Sequence, residues 1–482
     1  MADAAALTCR KHLDRICCSY GVSFSLKRMA SHHNLLMRYV LGYFFSIIFV
    51  IFFTNLAAAE QPSPDIKIGR ALYERNCARC HGITGAGDGP DAPHLYPRPR
   101  NFTLGAYKFR TTASGTPPTE EDVFRTITEG LPGTSMPDWR NLSDEERWQL
   151  VSYLQRLSTG LQDVAPQPLT LPPRPQRLEV AKGQRLFRDL GCVQCHGPTG
   201  RGNGPSAATL MDDAGQPIVA ANLTQGWTYR GGSSVEAILW RMLTGLDGTP
   251  MPSYADALSG EDGWHLAAYV HTLQESSVWA HAVAAQRLTG APLPTTITDP
   301  RWEEIPRAHI RLASRVYQQG EVQPTMVHAA SLQAVYDAEA IVFRVIWDDR
   351  TDTRGECPDV LALVLRPPHL AGHTLTLQNW PLPEAPPLDV CAWSSETARV
   401  LEQVGRSLVP LTTGTRLPTQ AVFTDGRWSL VFQRPLKSEL SEAVALAPGV
   451  TIHVALAAYD GGNQEQGRYH ASSTWVTLTL RE

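Results

Sequence analysis

One repeat constrains this 482-residue sequence more than any other feature. Cys77, Cys80, His81 and Met136 recur as Cys192, Cys195, His196 and Met251, each displaced by 115 positions. The flanks repeat too: Gly85-Ala-Gly-Asp-Gly-Pro90 matches Gly200-Arg-Gly-Asn-Gly-Pro205, and Asn101-Phe-Thr matches Asn222-Leu-Thr. Gly-Thr-Ser-Met-Pro (133–137) matches Gly-Thr-Pro-Met-Pro (248–252). Self-similarity on this scale predicts two copies of one small fold.

Each copy reads as helical. An opening helix leads into Cys-x-x-Cys-His, then a Gly/Pro loop, a middle helix near 119–130 or 233–245, the Met loop and a closing helix. Ser143 with Glu146 predicts a capping box, and Ser259 with Asp262 occupies the equivalent place. Leu150, Tyr153, Leu154 and Leu157 follow helical spacing, as do Leu266, Tyr269, Val270 and Leu273. Pro166, Pro168, Pro172, Pro173 and Pro175 mark a stiff connection between the copies.

In a helix, residues i, i+3 and i+4 share a face. Two thiols and an imidazole on one face suit the edge of a porphyrin, and the spacing is the attachment signal of c-type haem. A zinc site would need a second ligand pair, and a redox dithiol would not need the adjoining His twice. Two covalently bound haem c groups follow, through Cys77 and Cys80 and through Cys192 and Cys195. His81 and His196 are the candidate iron ligands on one side, and Met136 and Met251, at matched positions, on the other. A His/Met pair is an electron-transfer pattern and leaves no open iron position. Met211 and Met242 have no counterpart in the first copy and are expected to pack. Trp148 and Trp264, on the closing helices, either touch haem or fill the core.

The chain carries 43 Lys and Arg against 47 Asp and Glu. Six basic and two acidic side chains fall within residues 1–59, so the remainder is mildly acidic. With no basic stripe, nothing points to nucleic acid as a partner. Arg38, the apolar run 39–56 and Ala57-Ala-Ala59 read as an export signal with a cleavage site, which predicts a periplasmic protein. The alternative is an uncleaved membrane anchor. Cys357 and Cys391 form an even pair that an oxidising compartment would allow to bond.

After about residue 301 the pattern changes to alternation. Residues 341–347, 451–459 and 476–480 read as strands, and the clusters 424–426 and 460–463 as turns. The fold class is therefore multidomain: two mostly α-helical units followed by an all-β, sandwich-like domain.

Residues 65–157 and 180–274 each resemble a class I cytochrome c domain, in the layout of the tandem c-type cytochromes of respiratory chains. Residues 301–482 resemble the haem-binding domain of ethylbenzene dehydrogenase-type γ subunits, which serve molybdenum enzymes of the DMSO reductase family. The resemblance runs through residues 341–349, 425–436, 453–461 and 472–475. The organisation expected is a signal peptide or anchor at 1–59, cytochrome c domains at 60–160 and 180–276, linkers at 161–179 and 277–300, and the β domain at 301–482.

In the γ-subunit family a Met and a Lys hold a b-type haem. Here the Lys position falls on His470 and the Met position near Ala371, with His369 and His373 beside it. Two readings stand open: a haem b held by His470 with His369 or His373, or a domain that has lost haem and serves docking. The function implied is electron transfer, not catalysis, as the haem subunit or redox partner of a molybdenum oxidoreductase of nitrite/nitrate type. The partners implied are its iron–sulfur and molybdenum subunits and a soluble cytochrome or terminal oxidase. The rival enzyme reading is a self-contained dihaem oxidoreductase, such as a peroxidase or thiosulfate-oxidising cytochrome. In a third reading the sandwich recognises a sugar or a surface.

Overall fold

The computed structural model describes residues 65–482, apart from 96, 132–133, 214, 216, 276–277, 315–325, 371–385, 412–413 and 468. The expected export signal and Ala site, with Cys9, Cys17 and Cys18, lie outside the described residues, as does His373. No helix among the described residues is long and apolar enough to cross a membrane.

The first helical unit holds α1 (Ile66–Asn76), α2 (Ala78–His81), α3 (Glu120–Glu129) and α4 (Asp144–Leu157). The second holds α5 (Val180–Asp189), α6 (Val193–His196), α7 (Val235–Thr244) and α8 (Asp262–Thr272). In each unit the opening and closing helices cross at a glycine, because a side chain there has no room. A Cβ on Gly69 would lie 2.3 Å from Gln149 O, and one on Gly183 would lie 2.0 Å from His265 O.

The predicted capping box of Ser143 and Glu146 forms on α4, and Thr119 with Asp122 makes another on α3. The equivalent box at Ser259 does not form. Gly260 takes a φ of +51°, Ser259 closes a turn onto Asp262 N instead, and α8 starts after an N-cap, Glu261, that makes no side-chain cap.

The remainder is all β: β1 (Ala282–Arg287), β2 (Ala308–Arg311), β3 (Ala313–Ser314), β4 (Ala329–Tyr336), β5 (Ala340–Asp348), β6 (Val360–Arg366), β7 (Leu388–Ser394), β8 (Arg399–Gly405), β9 (Thr415–Leu417), β10 (Thr419–Phe423), β11 (Arg427–Pro435), β12 (Thr451–Tyr459), β13 (Ala471–Ser472) and β14 (Val476–Leu480). The strand order is β10-β11-β5-β4-β1-β14-β12-β6-β7-β8-β9. The path folds over so that its two halves enclose one core, which contains Phe343, Trp347, Trp428 and Phe432 from one half and Leu363, Trp393 and Leu456 from the other. Only Pro418 separates the two end strands, β9 and β10. Trp393 and Trp428 meet edge to face at 4.7 Å, a favoured aromatic geometry.

Segment 277–300 is not a linker throughout. It contains β1, which pairs in parallel with both β14 and β4 and so joins the two halves. Its alternation is short and Ala-rich, which conceals a strand whose stability comes from its neighbours.

A buried ionic group also spans the halves. Arg434 on β11 donates to Glu402 on β8 and to Asp389 on β7, each at 2.8 Å, and these three side chains are at most 1% exposed. Burial pushes the Asp389 carboxyl up to about 6, against the pull of Arg434. Removing the guanidinium strands two carboxylates in the core. Arg434→Met is therefore expected to destabilise the β domain by about 3–5 kcal/mol, read by denaturant unfolding. A loss below about 1 kcal/mol would contradict this.

Candidate functional site

The two attachment motifs occupy the short helices α2 and α6, each ended by a glycine in the left-handed half of the backbone map: Gly82 at φ +78° and Gly197 at φ +75°. The chain then doubles back beneath the histidine. Gly87 N donates to His81 O and Gly202 N to His196 O, both at 2.8 Å. Gly89 N reaches Cys80 O at 3.2 Å and Gly204 N reaches Cys195 O at 3.1 Å. A Cβ on Gly89 or Gly204 would lie 2.3 Å from the carbonyl of Arg79 or Gln194.

This loop positions the next segment, which orients each imidazole. Phe102 N donates to Gly85 O and Leu223 N to Gly200 O. Asn101 Oδ1 accepts from Thr103 N and Oγ1, and Asn222 Oδ1 accepts from Thr224 N and Oγ1. The repeated Asn-x-Thr thus fixes a turn. The residue before each Asn supplies the partner of the histidine. His81 Nδ1 lies 3.0 Å from Arg100 O, and His196 Nδ1 lies 2.9 Å from Ala221 O. Nδ1–H is thereby engaged and Nε2 is left available to ligate a metal. Burial lowers the pKa of both histidines, which favours the neutral ring that a metal needs. Phe102 stacks on the His81 ring at 4.4 Å.

The methionine loops match bond for bond. Leu131 N donates to Met136 O and Leu246 N to Met251 O, at 3.1 and 3.0 Å. Thr134 Oγ1 accepts from Met136 N, and Thr249 Oγ1 accepts from Met251 N. Trp139 N donates to Ile127 O and Tyr254 N to Met242 O, which ties each loop to its middle helix.

Burial pushes the Cys77 thiol up to about 12 and the Cys192 thiol up to about 11. A redox dithiol relies on the opposite shift. The donor set of each unit (two thiols, an imidazole with Nε2 available and a matched thioether) therefore fits haem c.

Three other candidates resolve differently. Trp148 stacks on Phe124 at 4.4 Å, and the indole of Trp264 donates to Pro172 O beneath the Arg174 guanidinium, so both make packing contacts. Met242 is buried in the second core, whereas Met211, expected to pack, is 50% exposed. Cys357 and Cys391 are both free thiols. Cys391 sits opposite Leu363, inside the sheet, while Cys357 lies beyond the Val360 end of β6, where Gln466 Nε2 donates to its sulfur. Three residues of strand separate the two levels, roughly 10 Å, beyond disulfide reach.

Of the two haem b pairs, His470 with His369 is not assembled, and His373 lies outside the described residues. His470 is buried and its ring packs on Tyr459, which pairs with Val360 at the start of β6. His369 is exposed and follows Arg366 at the other end of that strand, where the Arg366 guanidinium holds Leu370 O. Six strand residues, roughly 20 Å, lie between them. They cannot face each other across one iron.

Residues without a local sequence signal join the units. Asp247, four residues before Met251, accepts from the fully buried Arg110 at 2.7 Å and from Ser114 and Gly115 N. Arg241 donates to the carbonyls of Lys108 and Arg110. Burial, followed by the nearby guanidinium groups of Arg125 and Arg110, pushes Arg241 down to about 10. The Arg100 guanidinium lies beside Gly248 and faces Asp212, Asp247 and Asp213. The second unit is held to the β domain by Asp348, which accepts from Arg201, Asn222, Thr224 and Arg427.

Residues 64–154 match the family model described as cytochrome c oxidase, cbb3-type, subunit III, and residues 180–274 match the model described as cytochrome c. The chain thus carries two cytochrome c domains, which imply covalently bound haem c. It is 26% identical to the cbb3-type cytochrome c oxidase subunit FixP of Sinorhizobium medicae over 43% of this chain and 60% of that protein. It is 22% identical to a putative respiratory nitrate reductase haem subunit of Haloferax mediterranei over 41% of this chain and 72% of that one. A chain of the reducing HAO-like protein complex of Kuenenia stuttgartiensis is 43% identical over 43% of this chain and 96% of its own length, with a TM-score of 0.41. The chain spans about three fifths of the length of the first curated relatives it matches.

Two outcomes test the junctions. Asp247→Ala leaves Arg110 buried without its carboxylate. It is expected to raise amide hydrogen exchange in residues 107–115 and 246–251 at least tenfold while haem content stays at the wild-type level. Unchanged exchange would show that the contact does not hold the units. Asp348 stays ionised below the usual carboxylate range because Arg427 and Arg201 outweigh its burial. Its stabilisation is therefore complete above about pH 4 and is lost as the pH falls through its lowered value. Proteolysis at the second junction should be flat from pH 5 to 8; loosening within that window would contradict the assignment.

Proposed function

We propose that this chain is an exported electron-transfer subunit with two six-coordinate haem c groups, working as the haem subunit of a respiratory oxidoreductase complex in the periplasm. His81 and Met136 are the axial ligands of the first group, and His196 and Met251 those of the second. When bound, each haem supplies a one-electron iron couple whose potential a Met ligand raises. The chain's own residues fix the ligands, keep both histidines neutral and hold the two domains in one orientation.

The observation that carries this reading is the head-to-tail contact between the sites. Arg100 supplies the carbonyl that orients His81, and its side chain lies against Gly248 of the loop bearing Met251. One residue therefore touches the histidine side of the first site and the methionine side of the second. Such an arrangement suits a relay through two fixed stations and not an isolated catalytic iron.

For the partner, we infer a molybdenum oxidoreductase of nitrite/nitrate type. The resemblance to a nitrate reductase haem subunit supports it, as does the β domain, which the Asp348 junction holds against the second cytochrome domain. In this reading the β domain docks the iron–sulfur and molybdenum subunits, and a soluble cytochrome or terminal oxidase exchanges electrons with the haem domains.

Met136→Ala and Met251→Ala are each expected to convert one haem, and only one, to a high-spin or ligand-exchangeable form while the attached haem count stays at two. Absorption and electron paramagnetic resonance spectra read this; an unchanged low-spin spectrum in either variant would remove that methionine from the iron. The partner is tested by tagging the chain in its native host and measuring molybdenum in what co-purifies. Stoichiometric molybdenum is expected. A complex that contains an oxidase and no molybdenum would overturn the partner assignment and leave the dihaem reading standing.

A further inference from the structure

We propose that Asp349, Asp359 and Asp460 form a binding site for a divalent cation, calcium by the chemistry of its donors, that ties together the two halves of the β domain. The three carboxylates come from the end of β5, the residue before β6 and the residue after β12. They are 3%, 0% and 2% exposed, and one oxygen from each lies within 4.8 Å of the others.

The hydrogen bonds of the cluster leave one of its oxygens unused. Asp359 Oδ1 accepts from Gly461 N, and its Oδ2 from Thr353 N and Trp428 Nε1. Asp460 Oδ1 accepts from Asn463 N. Glu465, also buried, accepts from Asp460 N, Asn463 Nδ2 and Met326 N. Asp349 Oδ1 accepts from Thr351 N at 3.1 Å, but its Oδ2 is buried with no hydrogen-bond partner among the described residues. A cation needs only the lone pairs that are left.

Three carboxylates within 4.8 Å of one another, with Glu465 beside Asp460, repel one another out of water; Arg350 is a cation acting on Asp460, and the unpaired oxygen of Asp349 is left for a second. The donors are all oxygen, with neither His nor Cys in the cluster, which selects a hard cation over zinc or copper. Thr351 Oγ1 and Asp460 Oδ1 pack on the same side of Gly462. A buried set of mixed oxygens from several strands suits the flexible coordination of calcium better than the hydrated octahedron of magnesium.

The position gives the site a consequence. Asp349 follows Asp348, the residue that holds the second cytochrome domain. An ion here would fix the strand end from which the junction projects.

The test uses the intact haem-loaded protein after exhaustive chelation. Isothermal calorimetry with calcium chloride is expected to show one ion per chain. Saturating calcium should raise the unfolding temperature of the β domain by roughly 5 °C, in proportion to ligand excess over its dissociation constant. Asp349→Asn and Asp460→Asn should abolish the calcium response, yet unfold no earlier than the wild type in chelator, because each removes one of the repelling charges. Two results overturn the proposal: wild-type protein that neither takes up calcium nor changes its unfolding temperature, or variants that keep the full response. A response to magnesium and not to calcium would overturn the calcium assignment.

Discussion

Each imidazole is aimed by one hydrogen bond, from Nδ1 to a backbone carbonyl, and the rest of the arrangement depends on where that carbonyl comes from. In both cytochrome domains it belongs to the residue before the Asn of Asn-x-Thr. That turn is anchored below by the glycine loop and from the side by the Asn carboxamide. The glycines at 82, 85 and 87, and at 197, 200 and 202, are needed because the loop must pass close under the motif helix with positive φ angles.

The same turn is where each cytochrome domain meets its neighbour. In the first it carries Arg100, whose side chain reaches the second domain. In the second it carries Asn222, which donates to Asp348 of the β domain. These two junction contacts are therefore made by the residue that aims the histidine or by the one beside it. The second domain differs from the first by six more residues before Asn222 and six fewer after it, which is why the Asn positions lie 121 apart and the ligands 115. The inserted stretch includes the Met211–Pro217 bridge, on the same side as Asp212 and Asp213, which face Arg100.

Much of the helical half was legible in the sequence, because its chemistry is local. Two thiols and an imidazole at fixed spacing, matched methionines and capping residues declare themselves within a few positions of one another. The Asn-x-Thr repeat was visible as a pattern, and only the fold shows that it orients the histidines. Arg110, Asp247, Asp348 and Arg427 were not legible, since each depends on a partner more than 70 residues away. In the β half, alternation could be read in β14 and in the first residues of β12. β6 is buried along its whole length and has no alternation to read. The expectation of a His470 and His369 pair failed for a related reason: sequence proximity to family ligand positions does not reveal that the two residues sit at opposite ends of one strand.

The central proposal is that the cytochrome domains each hold a covalently attached haem and that the β domain has lost its haem. A pyridine haemochrome spectrum of the purified mature protein, set against its protein concentration, tests it most directly. Two c-type haems per chain and no b-type haem are the result this account predicts. A third, acid-extractable b-type haem, or fewer than two c-type haems in fully matured protein, would contradict it.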